Sequence, residues 1–331
     1  MTDTREAGAV QLSPPAGSGR RRRARETPRY PGRSQHGPRP RPLPASAERA
    51  SAEDTFADNR AVGRIALMVD ASAGVTRRAR VREQGPLRVR CPGPPSAELE
   101  AVIVNTAGGL AGGDRCSLDV KVAPGASLVV TTAAAEKIYR TLGPATTVDV
   151  KLEVGAGGAL SWLPQETILF NRARLERRIE IDLAADARLL MAEAIVFGRS
   201  GMGEAVEDGR LHDRWRLRRN GALVHAEALR LDGAVAAKLG EPAVANGAIA
   251  VATVLIVPGD ETVAAGLRAC GGEFAGEVGV SAWNGLAVAR LCAADGAALR
   301  RDLVTLLAAL RGTASPRLWL DWGGIGLQGN T

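Results

Sequence analysis

Beyond residue 60 the chain alternates apolar and polar positions. Four stretches share one layout: an alternating strand, a short turn rich in Gly, Ala or Asp, and a second apolar strand. They are SLDVKVAPGASLVV at 117–130, DVKLEVGAGGALSW at 149–162, IEIDLAADARLLMA at 179–192 and DRWRLRRNGALVHA at 213–226. The outgoing strands end at Val122, Val154, Leu183 and Leu217, and six residues later the return strands begin with Leu128, Leu160, Leu189 and Leu223. Those leucines lie 32, 29 and 34 residues apart, the spacing of stacked supersecondary units. Period-two alternation turns one face of each unit inward. A lone hairpin is marginal in water, so four must stack to bury that face. The expected class is mostly β: a layered, repeat-like stack of antiparallel β-hairpins with a few short helices towards the C-terminus. Scaffolds of this kind more often present surfaces to other proteins than catalytic pockets.

Ordered structure is expected to start near Val62, with further strands at 75–82, 87–90 and 101–105. Charges ride the polar positions of several strands, as in Arg174-Leu175-Glu176-Arg177-Arg178-Ile179-Glu180-Ile181, which fits a sheet with one solvated side. Short helices are expected at 233–239 and, entered through Pro258-Gly259-Asp260, at 261–269. A longer one carries Leu299, Leu303, Leu306, Leu307 and Leu310 on one face, with Asp295 as N-cap and Gly312 where a terminal glycine belongs. VSAWNGLAVARL reads as a hairpin turning at Asn284-Gly285.

Composition divides the chain. Residues 1–60 hold 12 Arg, no Lys and 7 acids, a net of +5, together with 8 of the 18 prolines; the remaining 31 bases and 29 acids give +2. Such a basic Arg/Pro-rich tail is expected to be disordered, because it has too little apolar surface to offset its ordering entropy. It is either a solvated extension, a stretch ahead of the true start codon, or a basic arm for anionic partners. Residues 61–331 are expected to form a single β-rich domain. Cys91, Cys116, Cys270 and Cys292 lack C-x-x-C spacing and read as free, mostly buried thiols of a cytoplasmic protein. No run approaches the roughly 18 apolar residues of a membrane-spanning helix.

The local chemistry is sparse. Gly108-Gly109-Leu110-Ala111-Gly112-Gly113-Asp114 invites a phosphate-loop reading, yet no Lys-Ser/Thr follows and the next segment alternates like a strand. Its glycines suit positive φ and close backbone approach. His212 and His225 flank the Asn220-Gly221 turn, a placement that would let them approach one another across it; without a third nearby ligand they fall short of a Zn or Ni site, and half-exposed strand histidines are the default. Glu166 and Glu193 lie on adjacent units, as a carboxylate pair facing one cavity or as surface charges.

Taken together, the motifs resemble the urease accessory protein UreD (UreH) family. The segments that carry the resemblance are GGLAGGD at 108–114, APGASLVVTTAAAEKIYR at 123–140, LPQETILFNRARLERRIEIDL at 163–183, AEAIVFGRSGMGE at 192–204 and PRLW at 316–319. Each is weak alone; five in order across about 60–322 are specific. The first sixty residues lie outside it. The resemblance implies a non-catalytic chaperone with a layered β-fold that binds the urease apoprotein subunits and recruits UreF. UreF in turn docks the GTPase UreG, so GTP is bound by UreG and not by this chain. No tightly bound cofactor is implied, and neither a membrane nor nucleic acid is an expected partner. Nickel is implied in transit through an interior tunnel, which Glu166, Asn171 and Glu193 would line by motif match, with Thr131, Thr132 and Tyr139 near its loop side. Gly108, Gly109, Gly112, Gly113, Asp114 and Arg140 complete the motif positions. Asn171 departs from relatives that carry Asp there. Two rivals remain: a β-solenoid-like hydrolase using the Glu166/Glu193 pair, and a nucleic-acid-binding module led by the arginine-rich tail.

Overall fold

Strands fill most of the computed structural model, which describes residues 60–270, 274–311 and 316–320. In chain order they are β1 (Val62–Ser72), β2 (Val75–Gln84), β3 (Leu87–Arg90), β4 (Leu99–Asn105), β5 (Arg115–Val122) and β6 (Ser127–Thr132). There follow β7 (Glu136–Ile138), β8 (Thr146–Val154), β9 (Ala159–Trp162), β10 (Thr167–Leu169), β11 (Arg174–Leu183) and β12 (Arg188–Phe197). The last are β13 (Asp208–Arg219), β14 (Ala222–Ala234), β15 (Ala250–Val257), β16 (Glu277–Trp283) and β17 (Leu286–Ala293). Helices α1 (Val235–Leu239), α2 (Glu261–Ala269), α3 (Gly296–Arg311) and α4 (Arg317–Leu320) lie towards the C-terminus. One sheet runs β14-β13-β11-β8-β5-β1-β2; the other, ten-stranded, runs β16-β17-β15-β12-β9-β6-β4-β3, with β10 and β7 attached beside β12.

The mostly-β class and the stacking of repeat units hold, but the pairing inside the first three units is not that of a hairpin. The outgoing strands β5, β8 and β11 belong to the first sheet and pair with one another in parallel. The return strands β6, β9 and β12 do the same in the second. Each unit is therefore an arch, and successive arches wind as coils. Alternation alone cannot separate the two arrangements, since both bury the same faces; the turn decides. Arcs 123–126, 155–158 and 184–187 each span four residues and hydrogen-bond to their neighbours, as in Gly125 N–H to Ala156 O (2.9 Å) and Arg188 N–H to Gly158 O (2.9 Å). The unit at 213–226 instead turns on Asn220-Gly221, both at positive φ, and closes β13 and β14 into a true antiparallel hairpin. Leu223 is accordingly 51% exposed, whereas Leu128, Leu160 and Leu189 are buried.

The repeated apolar positions become ladders across the sheets. Val69, Val122, Val154 and Leu183 stand in register on the first sheet, and Leu99, Leu128, Leu160 and Leu189 on the second. They meet between the sheets with Ile179, Ile181, Leu217 and Phe197 in the main core. The outer face of the first sheet is charged and solvated, as in the Lys121–Glu153 and Arg218–Glu180 pairs.

The outer face of the second sheet is lined by Ala192, Ala194, Ala252 and Ala289, small enough for α3 to lie close with Leu299, Leu303, Leu306 and Leu307 buried. Asp295 caps α3 as expected, its Oδ1 accepting from Ala298 N–H (2.8 Å). Asp260 does the same for α2 through Val263 N–H. The helix expected from residue 233 begins at Val235, because Gly233 and Ala234 finish β14. The Asn284-Gly285 hairpin forms as expected. Residues 1–59 of the expected tail and Gly312 lie outside the described residues. Among the described residues no helix is long and apolar enough to cross a membrane.

Candidate functional site

Coils of this kind have two ends. At one end sit the four-residue arcs; at the other, wider arcs carry the chain from the second sheet back to the first, at 106–114, 133–145, 163–173 and 198–207. The sequence motifs concentrate in these wide arcs, and backbone hydrogen bonds stack them. Leu110 N–H donates to Lys137 O (2.8 Å), Tyr139 N–H to Leu110 O (2.9 Å), Phe170 N–H to Ile138 O (3.1 Å) and Gly198 N–H to Leu169 O (2.8 Å). Segments far apart in sequence thus form one continuous face.

The glycine-rich loop opens this face, and its residues serve the backbone. Gly108, Gly109 and Gly113 have φ of 73°, 153° and 87°. Gly112 is required by space: a Cβ there would lie 2.0 Å from Thr141 Oγ1 and 2.7 Å from Pro144 O. Buried Asp114 accepts from Ala61 N–H (2.9 Å) and Ala111 N–H (2.7 Å), fixing the chain's entry into β1 against the loop. An open groove of about 1280 Å³ runs beside it, lined by Arg60, Val62, Gly112, Arg115, Arg140 and Leu142 among others.

Tyr139 donates its hydroxyl to Gly108 O (2.9 Å) and sets its ring edge-on to Phe170, centroids 5.1 Å apart. Arg199 lies over the other ring, 4.1 Å from the Phe170 centroid, and pairs with Glu204 (2.6 Å). Gly198 permits that clasp, since a Cβ would meet Glu204 O at 2.3 Å. Asn171 accepts from Asp208 N–H (3.1 Å), and its own N–H donates to Glu204. Thr132 accepts from Gln165 N–H and donates to Ala134 O, whereas the buried Thr131 hydroxyl has no partner among the described residues. Glu136 receives Asn105 Nδ2 on both oxygens (3.0 and 3.1 Å), and burial pushes its carboxyl up.

Glu166 and Glu193 do not form a pair. Glu193 points between the sheets, flanked by the core residues Met191 and Ile195, and accepts from Arg177 Nη1 (2.5 Å) and Trp162 Nε1 (2.7 Å). Glu166 binds Arg300 of α3 (2.8 Å), on the helical side of the same sheet. Ala192 and Ala194 face that helical layer, so the sheet separates the two carboxylates. The alternative hydrolase therefore loses its dyad. Of the three residues expected along a tunnel, Glu193 alone lines a described cavity. That cavity, of about 30 Å³, shares Glu227, Leu229 and Thr253 with an open cleft of about 690 Å³.

Pro-Gln-Glu has a further task. Gln165 and Glu166 both accept from Arg300, Gln165 Nε2 donates to Leu318 O, and Trp319 Nε1 donates to Leu163 O (2.9 Å). Two motifs about 150 residues apart in sequence thus lock the C-terminal helices onto the coils. His212 and His225 do not approach one another. His212 binds Asp232, held well below the usual carboxylate range by Arg230 and His212, while His225 lies 3.4 Å from Glu227 and packs on Trp283. Burial works against ionisation of Glu227, but His225 and Arg290 prevail and lower it. All four cysteines are unpaired; Cys116 is buried and pushed up to about 12 by burial, with Glu136 adding to it, whereas Cys270 is exposed. Among the described residues no group of three or more His, Cys, Asp or Glu is placed to hold a metal ion.

The most heavily charged interior cluster escaped the sequence reading. Arg177 faces inward, not outward, and grips Asp213 through Nε (3.0 Å) and Nη2 (2.5 Å) as well as Glu193. Trp215 Nε1 adds a bond to Asp213 (3.0 Å). Burial raises the Glu193 carboxyl, against the pull of Arg177. The signal was present: Arg177, Glu193 and Asp213 occupy apolar-phase positions of three strands, between Leu175 and Ile179, Met191 and Ile195, Leu211 and Trp215.

Comparison with known proteins agrees with this picture. The family model described as UreD urease accessory protein matches residues 61–320. A urease accessory protein UreD of Rhodopseudomonas palustris is 58% identical over 267 residues, covering 81% of this chain and 96% of the relative. One from Bradyrhizobium diazoefficiens is 54% identical over 266 residues, covering 80% and 96%. With the family's model spanning the two sheets and α3, this chain belongs to the UreD family of urease accessory proteins.

Proposed function

We propose that this chain acts in urease maturation as a non-catalytic, cytoplasmic chaperone. In this reading it binds the urease apoprotein and brings in UreF, and through UreF the GTPase UreG, for delivery of nickel. The observation that carries the reading is family membership over residues 61–320, joined to the gathering of the shared motifs on stacked wide arcs. Their polar groups are engaged with one another: Asp114 with backbone, Tyr139 with Gly108, Gln165 and Glu166 with Arg300. Such a face is held rigid for recognition rather than poised for proton or acyl transfer.

Nickel enters this reading as cargo. Glu193, which lines a cavity between the sheets, is proposed as the interior contact, and Glu166 and Asn171 as contacts on the wide-arc side, outside that cavity. Each already has a protein partner, so a passing cation finds exchangeable oxygen ligands instead of a closed site. The test is complementation with the full chain in a host that has urease and compatible accessory genes but lacks its own UreD. Nickel content and activity of the purified urease should rise together, with UreF co-purifying. Soluble expression without either gain refutes the chaperone reading. Loss of nickel in Glu193→Gln, with apoprotein binding retained, is the expected mark of a transit contact.

A further inference from the structure

The open groove beside the glycine-rich loop is the largest cavity described, and the functional reading above leaves it without an occupant. Its floor is a row on the solvated face of the first sheet, where Val62, Arg115, Thr147 and Glu176 stand in register on β1, β5, β8 and β11. Its wall is the arc at 140–145, which hydrogen bonds hold in place. Thr141 N–H donates to Arg172 O (3.1 Å), Gly143 N–H donates to Thr141 Oγ1 (3.0 Å), and Gly143 O accepts from Arg174 Nη1 (3.1 Å). Leu142 sits between those anchored neighbours and is 89% exposed. The space beneath it is taken by buried Thr141, against which Gly112 packs too closely for a Cβ to fit. The arc thus holds a leucine out in water, an expensive position that a docking partner relieves.

The charge of the groove is one-sided. Arg60, Arg115 and Arg140 line it against the single acid Glu176, which is drawn towards Arg210 (3.7 Å). Among the described residues the guanidinium groups of Arg115 and Arg140 have neither an ion pair nor a hydrogen bond. Two unneutralised cations in a concave site focus an attractive field on anionic groups, and the planar guanidinium fork matches a carboxylate. A small anion leaves most of the space unused, since about 1280 Å³ exceeds the roughly 300–1,000 Å³ of typical small-molecule pockets. A polyphosphate chain meets Glu176 in the floor and gains little from Val62, Leu142 and Pro144. A protein segment satisfies both the cations and the apolar surface. We propose that the groove docks an acidic, extended segment of a partner protein, with carboxylates on Arg115 and Arg140 and one apolar side chain packed on Leu142 and Val62. Gly112 and Gly113 line the same groove, so the docked segment lies against the glycine-rich loop. The wall is hydrogen-bonded before docking, which spares this side the cost of ordering a loop. Docking of this kind is independent of the maturation reading, and its test contains no urease, so either can fail without the other.

Fluorescence anisotropy with the full chain tests it, the probe being the labelled, end-capped peptide Asp-Glu-Leu-Leu-Glu-Asp at low ionic strength. Saturable binding with a Kd below about 1 mM is expected. Arg115→Glu with Arg140→Glu should weaken it at least tenfold, because like charges then face one another. Leu142→Ser should weaken it several-fold. A probe with glycines in place of its leucines should lose as much on the parent and nothing further on Leu142→Ser, the mark of one shared contact. The three exchanged side chains are exposed, so the variants should keep the parent's Tm. No binding up to about 1 mM overturns the proposal. Binding that survives the paired arginine exchange also overturns it, since the probe then sits on another basic surface of the chain. The remaining occupants are read in the same samples. Displacement of the probe by an equimolar oligodeoxythymidylate assigns the groove to nucleic acid, and self-association of the parent that Leu142→Ser abolishes assigns it to a second copy; either result overturns the proposal.

Discussion

Replacing Arg177 with Met should destabilise this protein more than any other single exchange of an ionised group. The guanidinium is 6% exposed and makes three hydrogen bonds, two to Asp213 and one to Glu193. Methionine approximates its stem and leaves two carboxylates facing each other between the sheets. Removing one partner from a buried ion pair costs about 3–5 kcal/mol. For a domain of this size each kcal/mol lowers Tm by about 2–4 °C, so a fall of about 6–20 °C is expected. The pH dependence is the sharper test. Burial already raises Glu193 against the pull of Arg177, and without that pull it rises further, so the folded state holds more protons and stability falls as pH climbs from the unfolded carboxylate value through the raised one. The deficit should therefore be small near pH 5 and large near pH 8. Glu193→Gln, which leaves the Arg177–Asp213 pair neutral, should cost less than half as much. Thermal unfolding followed by near-UV circular dichroism suits the question, because Trp162 and Trp215 both donate into the cluster. A Tm for Arg177→Met within about 2 °C of the parent at neutral pH, or a deficit that grows towards acid, would refute the reasoning.

Arg300→Ala should cost about 2–4 kcal/mol by cutting α3 from Gln165, Glu166 and Leu318; limited proteolysis should then cut first at the C-terminal helices, and an unchanged pattern counts against the lock. Gly198→Ala must push its Cβ off Glu204 O from 2.3 Å at a φ of 90°, so a loss of more than about 2 kcal/mol in urea unfolding is expected, and a Tm equal to that of Gly201→Ala, which has open space around it, contradicts the clash. Burial raises Glu136, so the parent loses stability as pH climbs from the unfolded carboxylate value through the raised one. Glu136→Gln lacks that slope and should gain on the parent as pH rises above the unfolded carboxylate value, levelling off once the raised one is passed; a difference independent of pH would show the carboxyl to be unshifted.

The strands and helices were legible where local chemistry and periodicity agree. The leucines of α3, its Asp295 cap and the Asn284-Gly285 turn each specify their element without help from distant residues. Sheet membership was not legible for the first three units. A four-residue arc such as 123–126 and a tight turn bury the same alternating faces, and only the two-residue Asn220-Gly221 loop declares its pairing. Motif residues were found from resemblance, but their partners were not: Arg300, 134 residues from Glu166, and Arg177, 16 from Glu193, meet them through coiling that no local pattern encodes. Arg177, Asp213 and Glu193 should have stood out as charges in the apolar phase, since each interrupts a row of inward side chains.

The unequal arcs of each coil separate what sets the register from what can vary. Four-residue arcs leave the strands no slack, so ladders such as Leu128, Leu160 and Leu189 stay aligned from coil to coil. The arcs at the opposite end already differ in length, from nine residues at 106–114 to thirteen at 133–145, without disturbing that alignment. Segments can therefore be lengthened, shortened or exchanged there while the stack of coils beneath them keeps its pitch. The same scaffold can in this way be refitted to a different protein surface by changing loops alone, much as a keyboard takes new keycaps on an unchanged frame.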